Sequence, residues 1–320
     1  MHYDVFNGDA DGIIALLQMR LAEPKPSVLV TGVKRDIKLL SQVVEKGDAA
    51  SVTALDISME KNQQPLNTLL EQRVEVFYCD HHRTGEVPVS DKLTTLIDLK
   101  AETCTSLLIN QYLGDQFAKW AVAAAFGDNL LTSAEKLAAR IGLSQEDTAF
   151  LKELGTLINY NGYGTSLADL HIEPTELYLR LLAYPCPLAL LDDLSSPYYT
   201  LKRGYEADYA NVSALLPTSN TQVACVYELP CEPWARRISG AFVNELANKA
   251  PNLAHAVLTL NISGDDYTVS VRAPLNNKVG ADDICASFPT GGGRKAAAGI
   301  NQLSMVQKSD FINALTKYYQ

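Results

Sequence analysis

Tyr3-Asp4-Val5-Phe6-Asn7-Gly8-Asp9-Ala10-Asp11-Gly12 opens the chain. Its first four residues have the length and aromatic, β-branched character of a buried strand. Six residues follow, all but Ala10 turn-forming or acidic, and Ile13–Leu21 then places apolar residues at helical spacing. The unit repeats. Val28–Thr31, Val52–Leu55, Val74–Cys79 and Thr94–Ile97 read as strands, with helical patterns at Ile37–Val44 and Pro65–Gln72 between them. Strand and helix in alternation predict a parallel sheet with helices on both faces. In such a sheet functional groups gather at the carboxyl ends of the strands.

Beyond residue 100 the pattern turns helical. Thr103–Leu113, Lys119–Phe126, Ala134–Ile141, Gln145–Ile158 and Glu173–Ala183 are expected helices, and Pro185 and Pro187 end the run. Pro217-Thr218-Ser219-Asn220 marks a linker over residues 216–221. A second α/β unit follows, with strands at Val223–Tyr227, Ala254–Ile262 and Tyr267–Arg272 and helices at Pro233–Asn248 and Ser309–Tyr318. The fold class is therefore α/β in two domains, 1–215 (a parallel core over 1–100, mainly helical over 101–215) and 222–320.

The 320 residues carry 27 Lys plus Arg against 37 Asp plus Glu, a net charge of −10. Coating long nucleic acid runs on Lys and Arg neutralising phosphates, so this balance argues against it. A small phosphate ligand held by local charge or by metal ions remains compatible. No stretch approaches the ~20 apolar residues of a membrane span. The start lacks the basic flank and apolar run of a signal peptide. The six cysteines show no C-x-x-C spacing, which argues against a zinc site and predicts reduced thiols in a cytoplasm.

Acidic residues recur at expected strand ends. Asp9 and Asp11 follow the first strand, Asp56 closes Val52–Leu55, and Asp80-His81-His82 closes Val74–Cys79. Asp128 follows the apolar run Ala121–Phe126. Each alone is a common turn or cap residue. Together they converge on one sheet edge, and several carboxylates there cannot all stay ionised without a compensating charge. Oxygen ligands with one imidazole suit Mn²⁺ or Mg²⁺ better than zinc. Gly291-Gly292-Gly293 frees the backbone to approach a phosphate, with Arg294 and Lys295 adding positive charge. Thr105 and Ser106 could donate to a phosphate or simply cap a helix. His2, His171 and His255 are isolated.

Asp9-Ala10-Asp11-Gly12, Asp56, Asp80-His81-His82 and Asp128 resemble, in order and spacing, the four motifs of the DHH phosphoesterase family. Gly291-Gly292-Gly293-Arg294-Lys295-Ala296-Ala297-Ala298-Gly299 resembles the glycine signature of the DHH-associated C-terminal domain. The resemblance implies a catalytic domain and a smaller substrate-binding domain, with the active site in a cleft between them. It implies two divalent ions, Mn²⁺ or Mg²⁺. Asp9 would hold one, Asp11, His81 and Asp128 the other, and Asp56 would bridge them. Asp80 would bind or brace the cluster and His82 would face the scissile phosphate, these two being the catalytic pair. Arg272, Gly291, Gly292, Gly293 and Arg294 would bind substrate. Two departures stand out. Val5 replaces a histidine and Asn7 an aspartate found in various members, so Asn7 is a weak neutral ligand at best; Arg294 stands where the signature has histidine.

The expected reaction is metal-dependent hydrolysis of short linear nucleotides, such as pGpG or very short RNA, to nucleoside 5′-monophosphates. A RecJ-like single-strand exonuclease and a non-catalytic nucleotide-binding protein are the alternatives. A homodimer is the generic expectation for a soluble enzyme.

Overall fold

The computed structural model describes all 320 residues. Contacts divide the chain into Met1–Gly204 and Tyr205–Gln320.

The first unit is built on five parallel strands: β1 (His2–Phe6), β2 (Val28–Val30), β3 (Ser51–Leu55), β4 (Glu75–Asp80) and β5 (Leu93–Ile97). Their spatial order is β2-β1-β3-β4-β5. The chain leaves β1 toward one side and returns to the other as β3, so the carboxyl ends of β1 and β3 flank the topological switch point. Helices α1 (Ala10–Ala22), α2 (Leu40–Lys46) and α3 (Gln63–Glu71) link the strands. Val5, Val30, Val52, Ala54 and Val76 form one apolar cluster with Leu40, Val43, Leu66 and Leu69 of α2 and α3.

Helix α1 is buried along nearly its whole length, because α4 (Thr105–Tyr112) and α5 (Ala118–Gly127) pack against it. Then come α6 (Leu131–Arg140), α7 (Gln145–Asn161), α8 (Pro174–Leu181) and α9 (Pro197–Val212). Residues Ala121–Ala125 of α5 are fully buried, which explains their unbroken apolar run. Helix α7 lies close against α5: a Cβ on Gly155 would fall 1.9 Å from the Ala123 carbonyl oxygen.

The second unit carries a six-stranded sheet in the order β10-β11-β9-β8-β7-β6. These are β6 (Ser219–Asn220), β7 (Ala224–Leu229), β8 (Ala254–Leu260), β9 (Asp266–Arg272), β10 (Gly291–Arg294) and β11 (Ala297–Ser304). Only β7 and β8 pair in parallel. Helices α10 (Pro233–Lys249), α11 (Ala281–Ala286) and α12 (Lys308–Tyr319) accompany it. Its core joins Val226, Leu258, Val269, Val271 and Ile300 to Phe311 and Leu315 of α12.

The expected α/β architecture and parallel first sheet are present, and five of five expected strands there are found. The division between units falls inside α9, and Ser219–Asn220 of the 216–221 segment pair with β7 as an edge strand. Helix α9 and strands β10 and β11 have no counterpart in the sequence reading. The glycine run is strand β10, paired along its length with β11. Tight packing accounts for two of its glycines. A Cβ on Gly291 would lie 1.8 Å from the Cys285 carbonyl oxygen, and one on Gly293, at φ 150°, 2.5 Å from Ala298 Cα. Gly292 faces open space. No helix is long and apolar enough to cross a membrane. All six cysteines are free thiols.

Candidate metal centre

Asp9 ends the β1 turn as the N-cap of α1, its Oδ1 accepting from the backbone N–H groups of Asp11 and Gly12 at 3.1 Å. This is the capping geometry that satisfies otherwise orphaned donors. Gly12 is required by crowding, since a Cβ there would meet the Asn7 carbonyl oxygen at 2.3 Å. Asp9 Oδ2 pairs with the Lys34 ammonium, just beyond β2. Burial alone would raise the Asp9 pKa, but the Lys34 charge and the Gly12 N–H outweigh it and hold the carboxyl at about 2. Lys34 is itself half-buried against Asp9, whose charge raises its pKa despite desolvation.

Asp11 is held from 94 and 95 residues away. The N–H groups of Thr105 and Ser106, at the start of α4, donate to its Oδ2 and Oδ1 at 2.8 and 2.7 Å. The α4 N-terminus thus takes its cap from α1, because its own N-cap residue, Cys104, makes no side-chain cap bond. Ser106 Oγ donates to the Asp11 carbonyl and Thr105 Oγ1 to Asp56 Oδ1 at 3.1 Å. Thr105 and Ser106 are fully buried and donate to carboxylates, at the helix start where the sequence left phosphate donation and helix capping open.

Asp56, directly after β3, adopts φ 57°, a left-handed conformation that is uncommon outside glycine. Burial pushes its pKa well up, and the negative charges of Asp11 and Asp9 push it further. That is the signature of carboxylates gathered around too little positive charge.

His81 is 4% exposed, and its Nδ1 lies 3.0 Å from the Thr103 carbonyl oxygen. A carbonyl only accepts, so Nδ1 carries the proton. Nε2 then turns its lone pair toward Asp56 Oδ1 at 3.4 Å and Asp11 Oδ2 at 3.8 Å. This is how metal-ligating imidazoles are oriented: one nitrogen donates to an acceptor and the other faces the ion. His82 donates from Nδ1 to Asp80 Oδ1 at 2.7 Å, and its side chain is about one-third exposed. Asp80, fully buried, leaves Oδ2 without a hydrogen-bond partner.

Asp56, His81 and His82 offer ligand atoms within 4.8 Å of one another. An orphaned buried carboxylate oxygen, a tautomer-fixed imidazole and repelling carboxyl groups all fit a hard divalent cation. Asp9 and Asp11 belong to the same electrostatic cluster. Asp128 caps α5, is half-buried and contributes to the charge around Lys34 and Cys104, outside the tight group. Asn7 is buried, with Oδ1 unpartnered and Nδ2 donating to the Lys34 carbonyl. Val5 points into the core beside Val30 and Ala54 and supplies no ligand.

Lys34 is the site residue that sequence reasoning missed. The available signal was position: Lys34 stands just past a strand of the same sheet whose other ends were already suspect. His2 and His171 are engaged elsewhere, with Ser51 and Tyr160.

In the second unit, Arg272 is half-buried, donating from Nε to Asn244 Oδ1 at 2.6 Å and from Nη1 to the Val271 carbonyl. Arg294 ends β10 and is exposed.

No family model and no curated protein matches the chain by sequence. Solved structures do match in fold. A manganese-bound exonuclease RecJ aligns with TM-score 0.63 at 17% identity, over 99% of this chain and 89% of its own. RecJ from Thermus thermophilus with Mn²⁺ aligns with TM-score 0.65 at 19% identity, over 99% of this chain and 52% of that one. PggH of Vibrio cholerae, described as a pGpG-specific phosphodiesterase, aligns with TM-score 0.56 at 11% identity, over 100% and 99%. The chain thus has the two-unit DHH/RecJ-like α/β fold, the one its sequence motifs led us to expect.

Proposed function

We propose that the protein is a metal-dependent phosphodiesterase that hydrolyses short linear nucleotides, pGpG and RNA dinucleotides foremost, to nucleoside 5′-monophosphates. The observation that carries this reading is His81, buried and locked in the tautomer that turns Nε2 toward Asp56 and Asp11. Asp11, Asp56 and His81 would hold the cation, with Asp80 Oδ2 and Asp128 at its margin; Mn²⁺ is the ion proposed, Mg²⁺ the next. Bound there, it would supply Lewis acidity toward a phosphoryl oxygen and a water of lowered pKa.

The chain's own groups do the rest. Asp80 holds the His82 ring through Nδ1, leaving Nε2 to meet charge building on the scissile phosphate. Arg272, Gly291, Gly292, Gly293 and Arg294 would grip the distal part of the substrate. A short substrate is supported by the net charge of −10 and by alignment over nearly the whole length of PggH. The reading includes a cytoplasmic enzyme with no long nucleic acid or membrane partner, working as a homodimer. A single-strand exonuclease is the second reading, supported by the higher TM-scores to RecJ.

Linear and cyclic dinucleotides, pAp and longer oligonucleotides incubated with Mn²⁺ and resolved by chromatography separate these. Monophosphates released from dinucleotides, and lost in His81→Ala, are expected. Activity confined to long strands would favour the exonuclease. No hydrolysis with any divalent metal would sink both.

A further inference from the structure

Lys34 places a fixed positive charge inside the carboxylate cluster. Its Nζ pairs with Asp9 Oδ2, donates to Asn159 Oδ1 at 2.9 Å and lies 5.3 Å from the centre of the Tyr163 ring. The backbone is clamped as well. Lys34 N–H donates to the Gly162 carbonyl at 2.9 Å, and its own carbonyl accepts from Asn7 Nδ2 at 3.1 Å.

The last bond explains why residue 7 is an asparagine. An aspartate there has no hydrogen to donate and would set its charge against the Lys34 carbonyl. Val5, with 0% exposure, is spent on the core. The two positions lacking an expected metal ligand and the lysine beside Asp9 therefore form one arrangement.

We infer that the Lys34 ammonium takes the place of one of the two cations, so that the centre holds a single divalent ion on its Asp11, Asp56 and His81 side. The inference rests on the metal-dependent reading above. An ion sharing Asp9 with Nζ would face a like charge at close range and would find only the neutral Asn7 and Asp56, already engaged by the other ion, to add to its ligands. The ammonium has three N–H donors, and Asp9 and Asn159 take two. The third is left for a phosphoryl oxygen, so the substrate meets a cation that cannot dissociate or be chelated away.

Equilibrium dialysis of the intact protein against Mn²⁺, with metal analysis and electron paramagnetic resonance of the bound ion, tests this without turnover. One ion per chain with the spectrum of isolated Mn²⁺ is expected. Lys34→Met, and more strongly Lys34→Met combined with Asn7→Asp, should bind two ions and develop the spectrum of an exchange-coupled pair. Two coupled ions in the unaltered protein overturn the inference while leaving the metal-dependent reading intact. So does a folded double variant that still binds one. No bound ion at all in the unaltered protein overturns the metal-dependent reading itself. The measurement on the unaltered protein decides even if the variants fail to fold.

Discussion

Arg272 and Arg294 both pair with the same residue, Ala297, from opposite sides of strand β11. Residues directly opposite in adjacent strands share a face, so the two guanidinium side chains rise from one face of the sheet, about 9–10 Å apart across it. A methyl group is all that stands between them. Arg294→Ala should therefore raise KM for a dinucleotide by about tenfold or more, the worth of a charge-assisted hydrogen bond. Hydrolysis of a generic chromogenic diester, which has no distal phosphate, should be nearly unchanged. Equal impairment on both substrates would place Arg294 in support of the fold or the catalytic centre instead.

The glycines of β10 divide by cause. Gly291→Ala drives a methyl into the Cys285 carbonyl and should cost about 1–3 kcal/mol or more in unfolding experiments. Gly292→Ala meets nothing and should leave the melting temperature unchanged. If Gly292 borders the substrate, that variant raises KM alone. An unaltered KM would leave the bareness of position 292 without a binding role.

Asp56→Asn separates function from stability. Asparagine tolerates the left-handed conformation at residue 56 and removes a carboxyl that its neighbours repel. The melting temperature should hold or rise, while turnover falls by roughly 100-fold or more, beyond the 10–100-fold typical of groups that merely support a ligand. Turnover above a tenth of the unaltered protein would remove Asp56 from the centre.

In the middle of β1, Asp4 is fully buried with Arg20, His2 and Ser27 around it. Burial would raise its pKa, but the His2 and Arg20 hydrogen bonds, the Arg20 charge and the Ser27 hydroxyl bring it down to about 2. A folded-state pKa below the unfolded value near 3.9 stabilises the protein above that value. Roughly 2 kcal/mol should thus be lost as pH falls from about 4 toward 2. Arg20→Met leaves the carboxylate buried without its cation and should cost about 3–5 kcal/mol at neutral pH, read by denaturant unfolding. A loss under 1 kcal/mol would show that His2 and Ser27 suffice.

The parallel sheet was legible because its strands are short apolar runs separated by helical periods, and its site because acids sit at the strand ends. Asp9, Asp56, Asp80 and His81 needed only that rule. Lys34 was hidden because a lysine after a strand is ordinary, and its meaning lies in Asn159, 125 residues away. Strands β10 and β11 were hidden because Gly291–Arg294 and Ala297–Ser304 have almost no β-propensity; they are strands because they pair with each other and with β9. Helix α9 was hidden for a different reason. Its sixteen residues mix four charges with four tyrosines and Gly204, and no clear apolar stripe emerges.

The clasp of Thr105 and Ser106 on Asp11 has a consequence in time. Its two bonds close loops of 94 and 95 residues, so Asp11 is oriented only after five strands are in register and α4 has docked on α1. Contacts so distant in sequence form late. A nascent or partly folded chain therefore has its acidic residues but not their arrangement, and chemical competence arrives with the completed fold.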